Sequence, residues 1–240
     1  MWKQRNAAEA TYSPATASPA KSRQAAWSLA VAGAGGEQGW RLWVVATAAE
    51  RTAGDTAGAV VELLTGEGQA LPPLTDSYLR GDDFVTSFAA RPADPCGLSV
   101  QVRPVACGEA EAVVELTLAI QTERLDSHPS IRVNIPSENG DAWEDSRDLG
   151  AGTLGPRRLS GGSGPPLFAS LLLAARDRPA ARDQSDAQRL QVALFGSFLE
   201  KGVIRKSRPW LVFRSDRPST AEELAAWHER LCRSPLPLTP

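Results

Sequence analysis

The 240-residue sequence has few of the side chains that carry acid–base, redox or metal chemistry. It contains only two histidines, His128 and His228, which leaves little acid–base capacity near neutral pH. Its three cysteines, Cys96, Cys107 and Cys232, are widely separated and match neither a disulfide framework nor a metal knuckle. This usage predicts a reduced, cytoplasmic setting. A disulfide between Cys96 and Cys107 stays open, because both flank a predicted strand.

Long apolar runs and a dominant charge sign are also missing. No stretch approaches the roughly 20 apolar residues of a membrane helix, so no membrane partner is expected. The 26 basic and 28 acidic residues leave a net charge of -2, which disfavours nucleic acid as a partner. Lys3 and Arg5 precede an apolar run that starts only at residue 25, so no signal peptide is predicted. A protein or a small polar ligand remains as the expected partner.

Apolar residues with a period of two are what the sequence does contain. Alternation of this kind places one row of side chains on each face of a strand. Strands are predicted at 40–45, 59–64, 98–105, 114–121, 131–135, 167–175 and 190–194. The pair 98–105 and 114–121, joined by a Gly-containing turn, forms the strongest antiparallel hairpin. The pattern predicts a mainly β protein, an antiparallel two-layer β-sandwich with a short C-terminal helix.

The remaining segments complete the predicted organisation. Residues 1–24 contain few large apolar groups and are predicted to be a disordered tail, followed by one domain over 25–240. A long Gly- and Pro-rich surface loop is expected at about 137–166, and 195–201 is interpreted as a turn between strands that could close as a short helical segment. Residues 203–213, interrupted at Pro209, are interpreted as an edge strand protected by charge. Thr220 and Glu223 have the spacing of a capping box for the terminal helix.

Two clusters of charged residues are the candidate polar site. Arg80, Asp82 and Asp83 place a guanidinium beside two carboxylates at a predicted turn, where they could bind a cation or polarise a hydroxyl group. Gly and Asp are standard turn formers, however, and a structural role in the turn is the preferred interpretation. The second cluster lies in the basic C-terminal part of the chain: Glu200, Lys201 and Arg205.

Other motifs lack the context that their chemistry requires. A G-x-G-x-x-G spacing at 150–155 has neither the preceding strand nor the following helix of a dinucleotide site. His128 and Asp126 are close in sequence, but no nucleophilic serine is marked for a triad. The acidic residues within 138–148 match no EF-hand spacing. The sequence therefore predicts no cofactor and no metal.

The run Leu-Glu-Lys-Gly-Val-Ile-Arg at 199–205 resembles a signature of uncharacterised bacterial proteins of the planctomycete type. The segment 78–83 resembles the Tyr-x-Arg-Gly-x-Asp motif of that family, 121–129 resembles its Gln-Thr-x-x-Leu-Asp segment, and Pro-Leu-Thr at 237–239 resembles its ending. The resemblance implies a bacterial protein, and it transfers no activity, cofactor or catalytic residue.

Two functional hypotheses follow from these observations. The first is a non-enzymatic binding or interaction module, because strands are abundant and no nucleophile, metal set or phosphate loop is recognisable. The alternative is a carbohydrate-active sandwich enzyme in which Asp82 or Asp83 pairs with Glu200 for acid–base work. Paired carboxylates of this kind must lie within about 10 Å of each other.

Overall fold

Alternating apolar residues form the facing surfaces of two antiparallel sheets. The computed structural model describes residues 1–6, 8–13, 26–33, 39–47, 56–90, 96–136, 152–159 and 166–235. Sheet A consists of β1 (Trp2–Asn6), β2 (Glu9–Tyr12), β3 (Ala26–Ala32), β4 (Trp40–Thr47), β5 (Thr56–Thr65), β10 (Ser130–Pro136), β13 (Arg182–Asp183) and β14 (Arg189–Phe195). Sheet B consists of β6 (Leu74–Arg80), β7 (Asp83–Phe88), β8 (Cys96–Cys107), β9 (Glu111–Thr122), β11 (Thr153–Arg158), β12 (Phe168–Leu172), β15 (Ile204–Ser207) and β16 (Trp210–Arg214). One helix, α1 (Ala221–Arg233), follows the last strand.

The order of the strands confirms the predicted β-sandwich. Sheet A runs β1-β2-β3-β4-β5-β10-β14-β13, and sheet B runs β11-β12-β16-β9-β8-β7-β6, with β15 paired to β9 beyond the end of β16. Every pairing between these strands is antiparallel. The hairpin of β8 and β9 is the one predicted at 98–105 and 114–121.

The two faces of sheet B have different partners. Leu98, Val100 and Val102 of β8 point inward and join the main core between the sheets. The residues between them point outward, as the period of two requires. Part of the outer face is covered by α1, where Leu224 and Leu231 of the helix pack in a second, smaller apolar cluster.

The terminal helix begins and packs as predicted. The Thr220 side chain accepts a hydrogen bond from Glu223 N, and the Glu223 carboxylate accepts one from Thr220 N, which completes the capping box. The other end of α1 is bound by Arg208, which is 1% exposed. Its guanidinium donates to the carbonyl oxygens of Leu231 and Ser234, groups that the end of a helix leaves without partners.

The structure replaces the first half of the predicted disordered tail with a hairpin. β1 and β2 pair at the edge of sheet A, and Trp2 is 4% exposed. The Trp2 ring packs against Tyr12 and Phe84, and its Nε1 donates to the carbonyl of Asp82 on the opposite sheet. One buried aromatic residue therefore orders a polar segment by joining both sheets at their edge. Residues 14–25 lie outside the described part of the chain.

The structure gives more detail for two further segments, 137–166 and 195–201. β11 lies within the predicted loop at 137–166 and pairs with β12. A register shift between Leu154 and Arg157 interrupts the alternation that would have indicated a strand. Residues 137–151 and 160–165 of that loop lie outside the described part of the chain. The connection at 195–201 does not close as a helical segment, because Phe195 and Gly196 have φ values of 69° and 73°, and Leu199 N donates to Ser127 O. A right-handed helix cannot continue through such residues.

The edge-strand interpretation of 203–213 holds for only part of that segment. The chain breaks near Pro209 as expected, but β16 lies between β12 and β9 in the interior of sheet B.

The positions of Cys96 and Cys107 rule out the disulfide between them that the sequence left open. Cys96 and Cys107 occupy opposite ends of β8, about 35 Å apart at the usual rise of a strand, and both are free thiols.

Candidate functional site

A shallow depression on the outer face of sheet B, here called the outer trough, is the candidate functional site. Its floor comes from the outward residues of the three adjacent strands β7, β8 and β9, which are small or of medium size: Val85, Gly97, Ser99, Gln101, Thr117 and Ala119. Its walls come from longer side chains on the flanking strands, Tyr78 and Arg80 on β6 and Ile204 and Lys206 on β15. The wall strands are separated by four strand spacings, or about 19 Å. The trough has a volume of about 280 Å³.

Register explains why these residues share one surface. Val85 of β7 is level with Gln101 of β8, which is level with Thr117 of β9. One row along, Ser99 is level with Ala119, and Ala119 is level with Lys206 of β15. The depression therefore follows from side-chain size at alternate positions, since the inward neighbours of the same residues form the core.

Two polar atoms at the base of the trough have no hydrogen-bond partner among the described residues. Gln101 is 6% exposed and Thr117 is 5% exposed. The Gln101 Oε1 accepts a hydrogen bond of 2.9 Å from Arg80, but its Nε2 has no acceptor among the described residues. Thr117 Oγ1 also lacks a partner there. Buried polar groups are nearly always paired, so these two atoms mark a place where a partner is missing from the chain itself.

A line of alternating charges closes one end of the trough. Asp83, 3% exposed, accepts two hydrogen bonds from Arg103, at 2.5 and 2.8 Å. Glu115, also 3% exposed, lies 3.9 Å from Arg103 and 3.6 Å from Arg208, and it accepts a hydrogen bond from Trp210 Nε1. The hydrogen bonds that Arg103 donates to the Asp83 carboxylate raise the pKa of Arg103, so this guanidinium remains charged. The line separates the open trough from the part of the face that α1 covers.

The charge lining the trough has one sign. Arg80 and Lys206 stand on opposite walls, and the described residues of the lining include no Asp or Glu side chain. Asp83 lies 4.0 Å from Arg80, but its two carboxylate oxygens are already bound by Arg103. The trough therefore offers hydrogen-bond donors and positive charge, whereas the whole chain is slightly acidic.

The structure divides the residues of the predicted polar site. Arg80 and Asp83 lie together at the closed end of the trough. Asp82 is exposed in the turn between β6 and β7, where Gly81 adopts a φ of 59°. Such a left-handed first residue is typical of two-residue hairpin turns and needs glycine.

The other three residues of that prediction lie elsewhere. Glu200 and Lys201 are exposed in the turn that precedes β15, where Lys201 is 3.9 Å from Glu123. Arg205 is on β15 between two trough residues, so its side chain points to the opposite face of that strand. Of the six predicted residues, only Arg80 lines the trough.

The carboxylate pair of the enzymatic hypothesis is not brought together. Asp83 and Glu115 lie at the same level of sheet B, because both contact Arg103. Glu200 lies beyond the end of β9, where Gly202 N donates to Thr122 O. Seven residues of strand separate these levels, which corresponds to roughly 20 Å. This exceeds the separation of about 10 Å that acid–base pairs in glycosidases require.

A second depression, the end cleft, is larger but lacks unpaired buried atoms. It has a volume of about 630 Å³ and lies between the turns at 65–72 and 124–130. His128 lines it and is exposed, with its ring 6.0 Å from that of Phe198. Ser127 Oγ, beside it, donates to Leu199 O rather than to a catalytic base. None of the buried polar atoms that lack a partner in the described residues belongs to its lining.

Comparisons with known proteins establish no family for this chain. No family model matches the chain. No curated protein matches it either. A solved structure of a heparinase III, determined with methylated lysines, is similar at a TM-score of 0.46 and 8% sequence identity over 89% of this chain. The chain spans 35% of the length of that protein. A likeness at this level carries no argument about activity.

A search of the described residues for membrane spans finds no helix with the length and apolarity to cross a bilayer. Among the same residues, no group of three or more His, Cys, Asp or Glu side chains could hold a metal ion.

Sequence reasoning missed the floor of the trough. Ser99, Gln101 and Thr117 were visible only as the polar members of alternating strands, the role that solvent-facing residues ordinarily have. The sequence feature that could have indicated the trough is the small size of the outward side chains in the best hairpin. They include glycine, serine, threonine and alanine, which cannot fill the space between two walls of longer side chains. Detecting this requires knowledge of which strands flank the hairpin.

Proposed function

We propose that this chain is a non-enzymatic binding module and that the outer trough holds a saccharide. The observation that carries the proposal is the pair of recessed polar atoms, Gln101 Nε2 and Thr117 Oγ1, which have no partner in the described chain. An amide nitrogen requires an acceptor, and a hydroxyl can either donate or accept. The hydroxyl groups of a sugar supply both roles.

The remaining lining supports a sugar ring. Tyr78 is 37% exposed on one wall and Ile204 is 48% exposed on the other, so flat apolar surface faces the trough beside its polar floor. Ligand sites commonly combine apolar walls with a few polar groups that fix orientation. A saccharide, whose ring faces are apolar and whose edges carry hydroxyls, matches this combination.

The absence of a catalytic group in the lining favours binding over turnover. Acid–base catalysis relies mostly on His, Asp, Glu, Cys, Lys or Tyr in hydrogen-bond reach of the reacting atoms. Of these types, the described lining contains only Tyr78 and Lys206, on opposite walls. No acid and base therefore stand together in the trough.

The test is binding of the full chain to a panel of neutral and acidic di- and trisaccharides, measured by glycan array and then by calorimetry. Ala119→Phe fills the floor of the trough and should abolish binding to every saccharide that the wild type retains. Ala30→Phe, the same change on the outer face of sheet A, is the matched control and should bind normally.

Thr117→Val removes a single hydroxyl and should weaken binding about fivefold, which corresponds to one hydrogen bond of about 1 kcal/mol. Binding that survives Ala119→Phe, or no binding to any saccharide in the panel, would overturn the proposal. A second readout, incubation of bound saccharides followed by product analysis, should detect no cleavage.

A further inference from the structure

We infer that the outer trough binds two adjacent rings of an oligosaccharide, and that Gly97 provides the space for the second ring. This inference rests on the proposed function, since it specifies the size of the ligand and its direction in the same trough. Gln101 and Gly97 both line the trough from β8, four residues apart. At the usual rise of a strand their levels are about 13 Å apart, which is more than the width of one sugar ring.

The first level lies next to the closed end of the trough, one outward pair before Arg103 and Glu115. Gln101 is level with Thr117 on β9, so the two recessed polar atoms belong to the same row. In the other direction the row continues through β7 to Tyr78 on the wall, which is 37% exposed. One sugar ring placed here can bind both polar atoms through its hydroxyls and contact the aromatic ring of the wall.

The second level has polar and apolar groups of its own. Gly97 is level with Gln121 of β9, and Gln121 is level with Ile204 of β15. The Gln121 side chain is exposed, and an amide group can both donate and accept hydrogen bonds. Ile204, 48% exposed, supplies apolar surface on the wall opposite to Tyr78. Each level therefore offers what one sugar ring needs.

The described residues around Gly97 give no structural reason for a glycine. Its φ is not in the left-handed region, and the register with β9 is regular at this position, so neither a turn nor a bulge explains it. A Cβ atom here would lie 3.7 Å from Phe88 O and 3.9 Å from Gln121 O, which are ordinary contacts. Glycine within a strand costs stability and often marks a place where a ligand approaches the backbone closely.

The missing side chain also deepens the trough at this level. The lining there includes Phe88 and Leu98, whose side chains point into the core between the sheets. The trough therefore reaches down to the sheet itself beside Gly97. A side chain at this position would occupy the space in which the second ring lies.

A glycine of this kind is not a site by itself. Gly58, which precedes the core residue Ala59 on β5, lies on the outer face of sheet A. A Cβ atom at Gly58 would be 3.8 Å from Val45 Cγ2 and 3.9 Å from Val44 O, so its surroundings are comparable. Gly58 lines neither the outer trough nor the end cleft. It is therefore the matched control for a glycine that lies beside two recessed polar atoms.

The test measures how affinity depends on the number of rings. Calorimetry with the full wild-type chain compares four disaccharides, namely cellobiose, maltose, diacetylchitobiose and digalacturonic acid, each with the methyl glycoside of its non-reducing ring. For the disaccharide that binds most tightly, the affinity should exceed that of its methyl glycoside by about tenfold, or about 1.4 kcal/mol.

Gly97→Val closes the second level and leaves the first unchanged. It should lower the affinity for the disaccharide to about that for the methyl glycoside, whose own affinity should stay the same. Valine suits a strand and its Cβ would make only ordinary contacts with the described residues, so the variant should melt no lower than wild type. Gly97→Ala should give a smaller loss in the same direction. Gly58→Val should keep both wild-type affinities.

The outcomes separate the two proposals. Equal affinity for a disaccharide and its methyl glycoside, with both lost in Ala119→Phe, would overturn the two-ring inference and leave the binding module intact. A disaccharide affinity that Gly97→Val leaves unchanged would do the same. A melting temperature lowered in both Gly97→Val and Gly97→Ala would assign the glycine to structure and also overturn the inference. Failure of all four disaccharides to bind, or binding that survives Ala119→Phe, would count against both proposals.

Discussion

Replacing Thr117 by valine should stabilise the free protein while it weakens ligand binding. The two side chains have nearly the same shape and both are branched at Cβ, so the change exchanges one hydroxyl for a methyl group. A buried hydroxyl without a partner costs about 1 to 3 kcal/mol in lost solvation. Thr117 is 5% exposed and its Oγ1 has no partner in the described chain, so the valine variant should gain a stability of that size.

The expected gain is measurable by thermal and urea unfolding. In a chain of this length, about 1 kcal/mol shifts the melting temperature by about 2 to 4 °C, so a rise of about 2 to 12 °C is expected. Thr122→Val is the matched control in the same strand. Thr122 is fully buried, and its Oγ1 accepts a hydrogen bond of 3.1 Å from Arg124 N. Losing that bond should lower stability by about 1 kcal/mol.

The reasoning would be refuted if both valine variants destabilised the protein alike. Thr117 would then already be paired in the free state, and the trough would hold no hydrogen-bonding capacity in reserve for a ligand. A stabilised variant that also binds fivefold less would match the expected trade between stability and function at a binding site.

Three further predictions concern stability. Trp2→Ala should lower the unfolding free energy by about 3 to 5 kcal/mol in urea titrations, because a large buried ring is lost; a change under about 1 kcal/mol would show that the N-terminal hairpin does not pack. Burial raises the pKa of Asp177 above its ordinary value, so the charged form costs stability once the pH rises through the folded-state pKa. Asp177→Asn should therefore melt higher than wild type at pH 7, with the gain shrinking towards pH 4, and a lower melting temperature at pH 7 would contradict this. Hydrogen bonds from Arg217 and from Thr220 N lower the pKa of Glu223 from 4.5 to about 2, so its contribution is complete above pH 4.5 and is lost as the pH falls towards 2. Glu223→Gln should be less stable than wild type at pH 7, and the difference should disappear in melts near pH 2; a difference independent of pH would refute the role of that charge.

The regular part of this fold could be predicted from period and caps alone. β8 and β9 pair in regular register from residue 96 to residue 104 of β8, and α1 has both members of its capping box. The irregular part could not, because its order comes from contacts remote in sequence. β1 is polar apart from Trp2, and its position is explained by contacts that are remote in sequence: the Trp2 ring packs against Phe84, and its Nε1 donates to Asp82 O on the other sheet.

The candidate site shows the same division. Arg80 and Asp83 could be selected because charged residues at a turn stand out in a sequence. Gln101 and Thr117 could not, since a polar outward residue on a strand is ordinarily solvated, and only the flanking walls make these two unusual. Other buried polar atoms of the described residues also lack a partner, so what marks these two is their place on the floor of an open trough, which is visible only in three dimensions.

The separation of core and trough along the same strands affects how this protein can change. Each floor residue alternates with a core residue, so side chains that decide what is recognised can be exchanged while the buried layer beneath them is left untouched. A small set of outward positions on β7, β8 and β9 could thus be randomised to give new specificities on one unaltered scaffold.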